Sequence, residues 1–554
     1  MDELGQALST AFQNLGLDSK LAAIVPSNLP DLCDYQCNGA LSGAKILSKN
    51  PMIIAQGVLD SLPESVTSKY DLSAVKPGFI NIKLRSKSLL TLAAAPLTVL
   101  KQNQKVLIDF GSPNVAKGMH VGHLRSTLIG ASLVLIHRFA GNEVVGDNHL
   151  GDWGTPLGIV ITKIKKALNF NWTLSEIEEL YVQGSKEYKD KANVDFQENV
   201  LETTTLLQKG DLQAKVLWQK IIDVTIAELK SDYQRLGVHF DLWNGESSYE
   251  KFLPEMVAEL TNTYFATRSL REESLNVMVI EIPNEQPFLL AKSDGGFLYS
   301  TTDLACLKVR VPLYDKILYV VDKRQALHFR QLFLAGERVG YLKNPTQVEH
   351  VSFGTINGAD GKPFKTRDGE ALKLKELINQ VFISAESKIK SDFSEEEKNH
   401  NLPLIAIGAL KFAELKNNRM SDYVFDLDKF MSLEGFTGPY VMYSAVRAKS
   451  ILAKTKETPK LSNEIYSPTE RELILTLGRF QESFNKALSL NEPHHLCEFI
   501  YGLANSFNRF YHEVPILKET DLVKQQQYLW LTKRTLETLE TTLSLLGIQV
   551  PERM

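Results

Sequence analysis

Between residues 105 and 147 the apolar positions change period twice. "KVLIDF" at 105–110 is a short continuous apolar run, the pattern of a strand buried on both faces. The turn residues "GSPN" follow, and from about 122 to 140 apolar positions recur at helical spacing until Gly141, where glycine suits a left-handed cap. "NEVVGDN" is a second strand. Strand, helix and strand predict a βαβ unit with parallel pairing and a right-handed crossover. The alternation returns later: "GFLYS" (296–300) predicts a strand, "TTDLACLKVR" a helix, "KILYVVD" (316–322) a strand, 326–339 a helix and "QVEHVSF" a strand. The charged, helical residues near 165–270 separate these halves, which predicts an insertion into one doubly wound parallel sheet. Ahead of it, residues 1–100 predict a small α/β domain, and 101–370 then form the Rossmann-like domain. From 371 onward the periodicity is helical, a connecting segment at 371–425 and an all-α domain at 426–554.

Composition narrows the picture. At roughly 100–200 residues per domain, 554 residues predict about three to five domains. A net charge of -4 excludes a global field drawing the chain to nucleic acid, so a polyanionic partner has to be held by local patches. Cys33 and Cys37 form a lone C-x3-C without a second pair, and Cys306 and Cys497 stand apart, which argues for reduced thiols rather than zinc. The opening "MDELGQALSTAF" lacks a basic, then apolar, signal pattern. "LLTLAAAPLTVL" from Leu89 is too short for a bilayer and contains proline. The expectation is a soluble, cytoplasmic protein with no membrane contact.

The chemistry concentrates at "HVGHLRSTLIG" (120–130). Its histidines are i, i+3 and lack the carboxylate of H-E-x-x-H, which argues against a metal. A strand running into "GSPNVAKGMHVGH" puts Gly122 at a helix start, where backbone can approach a nucleotide and the helix end favours phosphate. His120 and His123 could then donate hydrogen bonds to charge developing on an α-phosphate. Capping histidines without chemistry are the plain alternative for these residues taken alone. Neither G-x-G-x-x-G nor G-x-x-x-x-G-K-[ST] occurs here, so dinucleotide and P-loop readings lack their loops.

His-x-Gly-His at a strand–helix junction resembles the signature of class I aminoacyl-tRNA synthetases. "SPNVAKGMHVGHLRSTLIG" is similar to the arginyl-tRNA synthetases, as are "DYQCNGA" (34–40), "NHLGDWGTPLG" (148–158), "GES" (245–247), "DGKPFKTRDG" (360–369) and "GPYVMYSAVRAKSIL" (438–452). The resemblance implies an arginine–tRNA ligase using L-arginine, ATP with Mg2+, and tRNA(Arg), with no tightly bound cofactor; the histidine and cysteine spacing predicts no metal site, and a monomer is the expected state. It implies ATP contacts at His120, Gly122, His123 and Lys365. The mobile class I loop here reads "FKTR", with Phe364 where the first lysine is expected, leaving Lys365, Arg367 and the upstream Lys117 as candidate cations. Arginine presents a charged planar fork that requires carboxylates. Tyr299 and Asp303, i, i+4 at a helix start, share one face; with Asn114 and Gln325 they are the implied amino-acid contacts, and Glu246 is a further acidic candidate. Tyr440, Tyr443 and Arg447 fall at i, i+3, i+7; aromatics beside arginine suit stacking on unpaired bases, with Tyr440 and Arg447 as the candidates, but the stripe equally suits inter-helix packing, the reading favoured for Tyr443. The N-terminal unit resembles the domain that contacts the outer corner of tRNA. Two rivals are a class I ligase for cysteine, expected to carry paired zinc-ligand cysteines, and a non-catalytic tRNA-binding relative, expected to have lost the histidines or the acidic pocket.

Overall fold

The computed structural model describes residues 2–554 apart from 28, 30–31, 100, 166–170, 270–275, 293–295, 345–346, 359, 363–371 and 389–392. Packing divides the chain into two compact units, one of residues 98–446, 483–501 and 540–554, the other of residues 1–97, 447–482 and 502–539.

In the first unit, strands β1 (Lys105–Asp109), β2 (Glu143–Asp147), β3 (Lys316–Tyr319) and β4 (Val348–His350) form a parallel sheet in the order β4–β3–β1–β2. Val106, Leu107, Ile108, Ile317 and Leu318 are fully buried, as the continuous apolar runs require when both faces are covered. Helix α1 (Gly122–Phe139) joins β1 to β2 and ends at Gly141 with φ +77°; α2 (Tyr299–Arg310) leads into β3, and α3 (Ala326–Arg338) joins β3 to β4. Strand order reverses between β1 and β3. Register places Asp147, Asp109, Tyr319 and His350 side by side in one row at the carboxyl ends.

Two stretches depart from the sequence reading. Residues 296–300 are not a strand: Phe297 makes one isolated bridge to Ala291, and the Leu298 N–H donates to Thr301 Oγ1 at 3.0 Å, starting α2 at Tyr299. The apolar residues there form the half-buried entry to a helix, with Tyr299 exposed. The helical part of the insertion ends at Arg235, after which Gly237 at φ +59° turns the chain and Leu242 bridges in parallel to Asp147. Glu246 is therefore back at the parallel sheet rather than out in the insertion. A small antiparallel sheet of Ala266–Arg268, Met278–Ile280 and Phe288–Ala291, which the periodicity did not reveal, packs Ile280 and Phe288 into one core with Leu304, Leu307 and Leu332.

Helix α4 (Glu395–Leu415) is locked to α1 by a buried ion pair, Arg125 Nε to Glu414 Oε1 at 2.6 Å, with Tyr423 Oη donating to Glu414 Oε2 at 2.6 Å. The chain's last residues close the same unit: the Leu545 carbonyl accepts from Ser132 Oγ at 2.9 Å and the Gly547 carbonyl from Lys411 Nζ at 2.6 Å.

The second unit contains an antiparallel sheet whose order is Ile24–Pro26, Tyr35–Cys37, Phe79–Leu84, Tyr70–Val75. Helix Ser86–Ala94 packs against helix Pro468–Leu477. Asp34, with its side chain fully buried, receives both Arg471 amines, at 2.7 and 2.9 Å, and the Leu84 N–H at 2.7 Å. Among the described residues no helix is long and apolar enough to cross a membrane.

Candidate active site

Doubly wound sheets bind ligands beyond the strand ends where strand order reverses. Here the ends of β1 and β3 open into a cavity of about 260 Å3. Its floor is ionic. Arg310, the last residue of α2 and 3% exposed, donates from Nη1 to Asp109 Oδ2 at 2.6 Å and from Nη2 to Asp147 Oδ2 at 2.7 Å. Burial raises the Asp147 carboxyl, the guanidinium opposes that, and the neighbouring Asp109 charge adds to it. Arg310 thus supplies a positive charge shared by both strand-end carboxylates.

Asn114, Glu246, Tyr299, Asp303 and Gln325 all line this cavity. The loop after β1 holds Asn114 by mutual backbone bonds, Val115 N–H to the Gly151 carbonyl at 3.0 Å and Gly151 N–H to the Pro113 carbonyl at 3.2 Å. A Cβ on Gly151 would come within 2.2 Å of Asn114 Oδ1, so only glycine allows the approach. Glu246 is delivered by a clasp between "LGDWG" and "GES". Asp152 accepts from Ser247 N–H at 2.9 Å and Ser247 Oγ at 2.6 Å, while the Glu246 N–H donates to the Leu150 carbonyl at 3.0 Å. Tyr299 and Asp303 lie one turn apart on α2, and Gln325 immediately precedes α3.

Two carboxylates now face one cavity. Burial, and then the charges of Asp303 and Asp152, push the Glu246 carboxyl up to about 8. Such a pair favours a cation between its members, and a planar one with several donors satisfies both. His328 on α3 was not among the sequence candidates. Its Nε2 lies 2.7 Å from Asp303 Oδ2 and its ring 5.1 Å from that of Tyr299. Arg310, Asp109, Asp147 and His149 were also missed; their partners are distant in sequence, Arg310 to Asp109 spanning 201 positions.

At the start of α1 the two histidine rings lie 4.1 Å apart. The Gly122 N–H donates to His120 Nδ1 at 3.0 Å and the His120 N–H to His123 Nδ1 at 3.1 Å. His120 Nδ1 is thereby an acceptor, which leaves its proton on Nε2, whereas His123 Nδ1 also lies 3.3 Å from the His120 carbonyl, so either tautomer of that ring finds a partner. Desolvation and then Lys117 lower His120; desolvation and then His120 push His123 down to about 3. Both rings are neutral, each with one N–H to donate. Gly122 is required because a Cβ would sit 2.7 Å from the His120 ring. Lys117 Nζ rests 4.3 Å from the Tyr181 ring centre. Phe364, Lys365 and Arg367 lie outside the described residues. The Leu372 carbonyl accepts from the Val121 N–H at 2.9 Å, beside the histidines.

Helix α5 (Gly438–Ala453) carries the three residues expected on one face. The Tyr440 ring lies 5.7 Å from that of Tyr501, and the Arg447 guanidinium 4.8 Å over the Tyr511 ring, with a hydrogen bond to Asn508. Tyr443 lines a small apolar cavity with Ile405, Met431 and Pro439.

Residues 87–427 match the family of class I tRNA synthetases (R), catalytic domain. The chain belongs to the arginyl-tRNA synthetases. Residues 2–84 match the arginyl tRNA synthetase N terminal domain and 441–554 the DALR anticodon binding domain. The chain is 38% identical to the arginine–tRNA ligase of Alkaliphilus oremlandii, covering 100% of this chain and 99% of that one. With that of Francisella tularensis subsp. novicida it shares 39% identity at the same coverage. Among solved structures it is similar to arginyl-tRNA synthetase from Plasmodium falciparum (TM-score 0.83, 26% identity, 99% of each chain). The Thermus thermophilus arginyl-tRNA synthetase shares the fold, with TM-score 0.84 at 24% identity over 100% of this chain and 99% of that one. Family membership removes the cysteine-specific rival, and the acidic pocket and both histidines speak against the non-catalytic one.

Proposed function

We propose that in this chain, an aminoacyl-tRNA ligase that activates arginine with ATP and charges tRNA with it, the guanidinium is read between Glu246 and Asp303. The observation that carries this reading is the facing of two carboxylates into one cavity at the reversal of strand order. Asn114, Tyr299 and Gln325 complete the lining, and the arginine carboxylate points toward the start of α1. ATP lies over Gly122. The arginine carboxylate attacks the α-phosphorus, diphosphate leaves, and arginyl adenylate forms; a hydroxyl of the terminal ribose of tRNA(Arg) then attacks the carbonyl and AMP leaves. Neither step demands a strong base, so positioning and charge stabilisation dominate. The neutral rings of His120, through its Nε2–H, and of His123 donate to the α-phosphate oxygens as their charge grows. Lys365, Arg367 and Lys117 are the cations for the leaving diphosphate, and Mg2+ arrives on the ATP phosphates.

Arg447 over the exposed Tyr511 ring offers a guanidinium and an aromatic face for unpaired bases, which supports a tRNA contact there; Tyr440 remains the second proposed contact. The matched spans support a three-part division with junctions at 84–87 and 427–441, the 371–425 segment falling within the catalytic match, and the four free, buried cysteines fit a reducing cytoplasm. Charging of total tRNA with a panel of radiolabelled amino acids tests the whole reading. Arginine alone should be incorporated, and incorporation of another amino acid in its place overturns it.

A further inference from the structure

Away from the cavity, the stretch Asn491–Glu492–Pro493–His494–His495 leads into helix α6 (His494–Glu513). Glu492 Oε2 lies 3.2 Å from His495 Nε2 and 3.9 Å from His494 Nδ1, and the three ligand-type atoms fall within 4.8 Å of one another. His494 is 7% exposed, and its Nδ1 is buried with no hydrogen-bond partner. On its other side, His495 Nδ1 lies 3.3 Å from Glu498 Oε2.

These contacts pose a proton problem. If the His495 Nδ1–H donates to Glu498, its Nε2 turns a lone pair on the Glu492 carboxylate, and two acceptors face each other. An extra proton on His495 relieves that contact but does nothing for His494 Nδ1, which aims at the same carboxylate from beyond hydrogen-bond range. One cation bound by all three groups satisfies every atom together. Two imidazoles and a carboxylate are a donor set for zinc-class ions, and a carboxylate on the far nitrogen of a ligating histidine is the usual orienting partner. Tetrahedral ligands about 2.0–2.1 Å from zinc sit roughly 3.3 Å apart, so the 3.2 Å pair is already in place and the 3.9 Å pair needs to close by a few tenths. Two carboxylates also offset the helix N-terminus, which by itself disfavours a cation.

We infer that Glu492, His494 and His495 form a binding site for a zinc-class divalent cation, with Glu498 orienting the His495 ring. Its role is structural. The preceding Asn491 is fully buried, its Oδ1 3.0 Å from His137 Nε2 at the end of α1 and its Nδ2 donating to Glu349 Oε2 of β4 at 2.8 Å. A cation beside it holds the start of α6 against the parallel sheet domain.

The test uses the full chain stripped with EDTA and then titrated with Zn2+ or Co2+ alone. One equivalent should bind, Co2+ should give the visible spectrum of a low-coordinate site, and Zn2+ should raise Tm. Glu492→Gln/His495→Gln should bind that equivalent at least about a hundredfold more weakly, and Glu498→Gln about 10–100-fold more weakly. Equal uptake by the wild type and the double variant places the ion elsewhere, at His120/His123 or Cys33/Cys37, and overturns the inference. Imidazole 15N shifts of the wild-type chain decide without any substitution. They should report metal on His494 Nδ1 and His495 Nε2; a His495 still doubly protonated at saturating Zn2+ also overturns it.

Discussion

Asp303 and Glu246 approach the cavity from different directions, one on α2 and the other from the clasp at Asp152. Citrulline has nearly the shape of arginine without the charge, and it leaves the two carboxylates facing a neutral group. Discrimination by such unpaired groups reaches roughly 10⁴–10⁵. Asp303→Asn should lower the arginine-to-citrulline ratio of kcat/KM at least about a hundredfold, since losing one member of a buried pair costs on the order of 3–5 kcal/mol. Tyr299→Phe should cost about 1 kcal/mol, a neutral hydrogen bond. An unchanged ratio in Asp303→Asn would leave Glu246 as the sole reader. Glu246 also sets a pH dependence. With its carboxyl raised to about 8, it is mostly protonated at pH 7 and must lose that proton to pair with a guanidinium. Arginine affinity should therefore rise with pH up to about 8 and level off above. Calorimetry at pH 7 in buffers of differing ionisation enthalpy should find close to one proton released, and none in Glu246→Gln. The sign for folding runs the other way. The ligand-free fold holds a proton that the unfolded chain gives up near 4.5, so this group loses stability as pH climbs toward 8. His120→Ala or His123→Ala should lower the aminoacylation rate about 10²–10³-fold with little change in KM for ATP. Because His123 is already neutral, charging should show no titration from that ring between pH 6 and 8. Near-normal rates in both alanine variants would make the histidines caps only.

At the scale of elements, what was readable in the chain is what local patterning controls. The strands around Leu107 and Ile317 are buried on both faces, so their apolar runs declare them, and the glycine after α1 declares its end. Residues 296–300 misled because Thr301, two positions past the start of α2, decides the matter by capping Leu298. The small antiparallel sheet stayed hidden because its short strands have no strand–helix alternation around them, unlike the equally short Lys316–Tyr319 and Val348–His350. The cavity lining proposed to contact arginine was legible at Asn114, Tyr299, Asp303 and Gln325 through motif resemblance and at Glu246 as an acidic candidate, whereas His328 and Arg310 carry no local signal and reach the cavity by packing. The clasp that presents Glu246 yields a prediction of its own. Gly245 has φ -78°, an ordinary backbone, so alanine there meets no strain; its Cβ would instead sit 2.3 Å from the Asp152 carboxylate. Gly245→Ala should raise KM for arginine at least about tenfold, from displacing the Glu246 pairing, and leave KM for ATP close to wild type. A parallel rise in both would mean that the clasp supports the nucleotide site as well.

For the whole molecule, the noteworthy feature is the discontinuity of both units. Residues 540–554 complete the unit that holds the parallel sheet, and Arg471 completes a pairing begun at Asp34. Arg471→Met should destabilise the chain by about 3–5 kcal/mol, because Asp34 is left charged and buried. Asp34→Asn/Arg471→Met should regain much of that loss in denaturant titrations; a double variant no better than the single would show that the stability comes from the arginine's packing. Timing on the ribosome follows. Arg471 is translated 437 residues after Asp34, roughly 20–90 s later at about 5–20 residues per second. Through that interval the nascent N-terminal sheet carries a carboxylate whose partner has not been made. A chaperone that shelters this segment, or a slowed stretch of message before it, should change the yield of native protein more than any edit to the finished chain's surface.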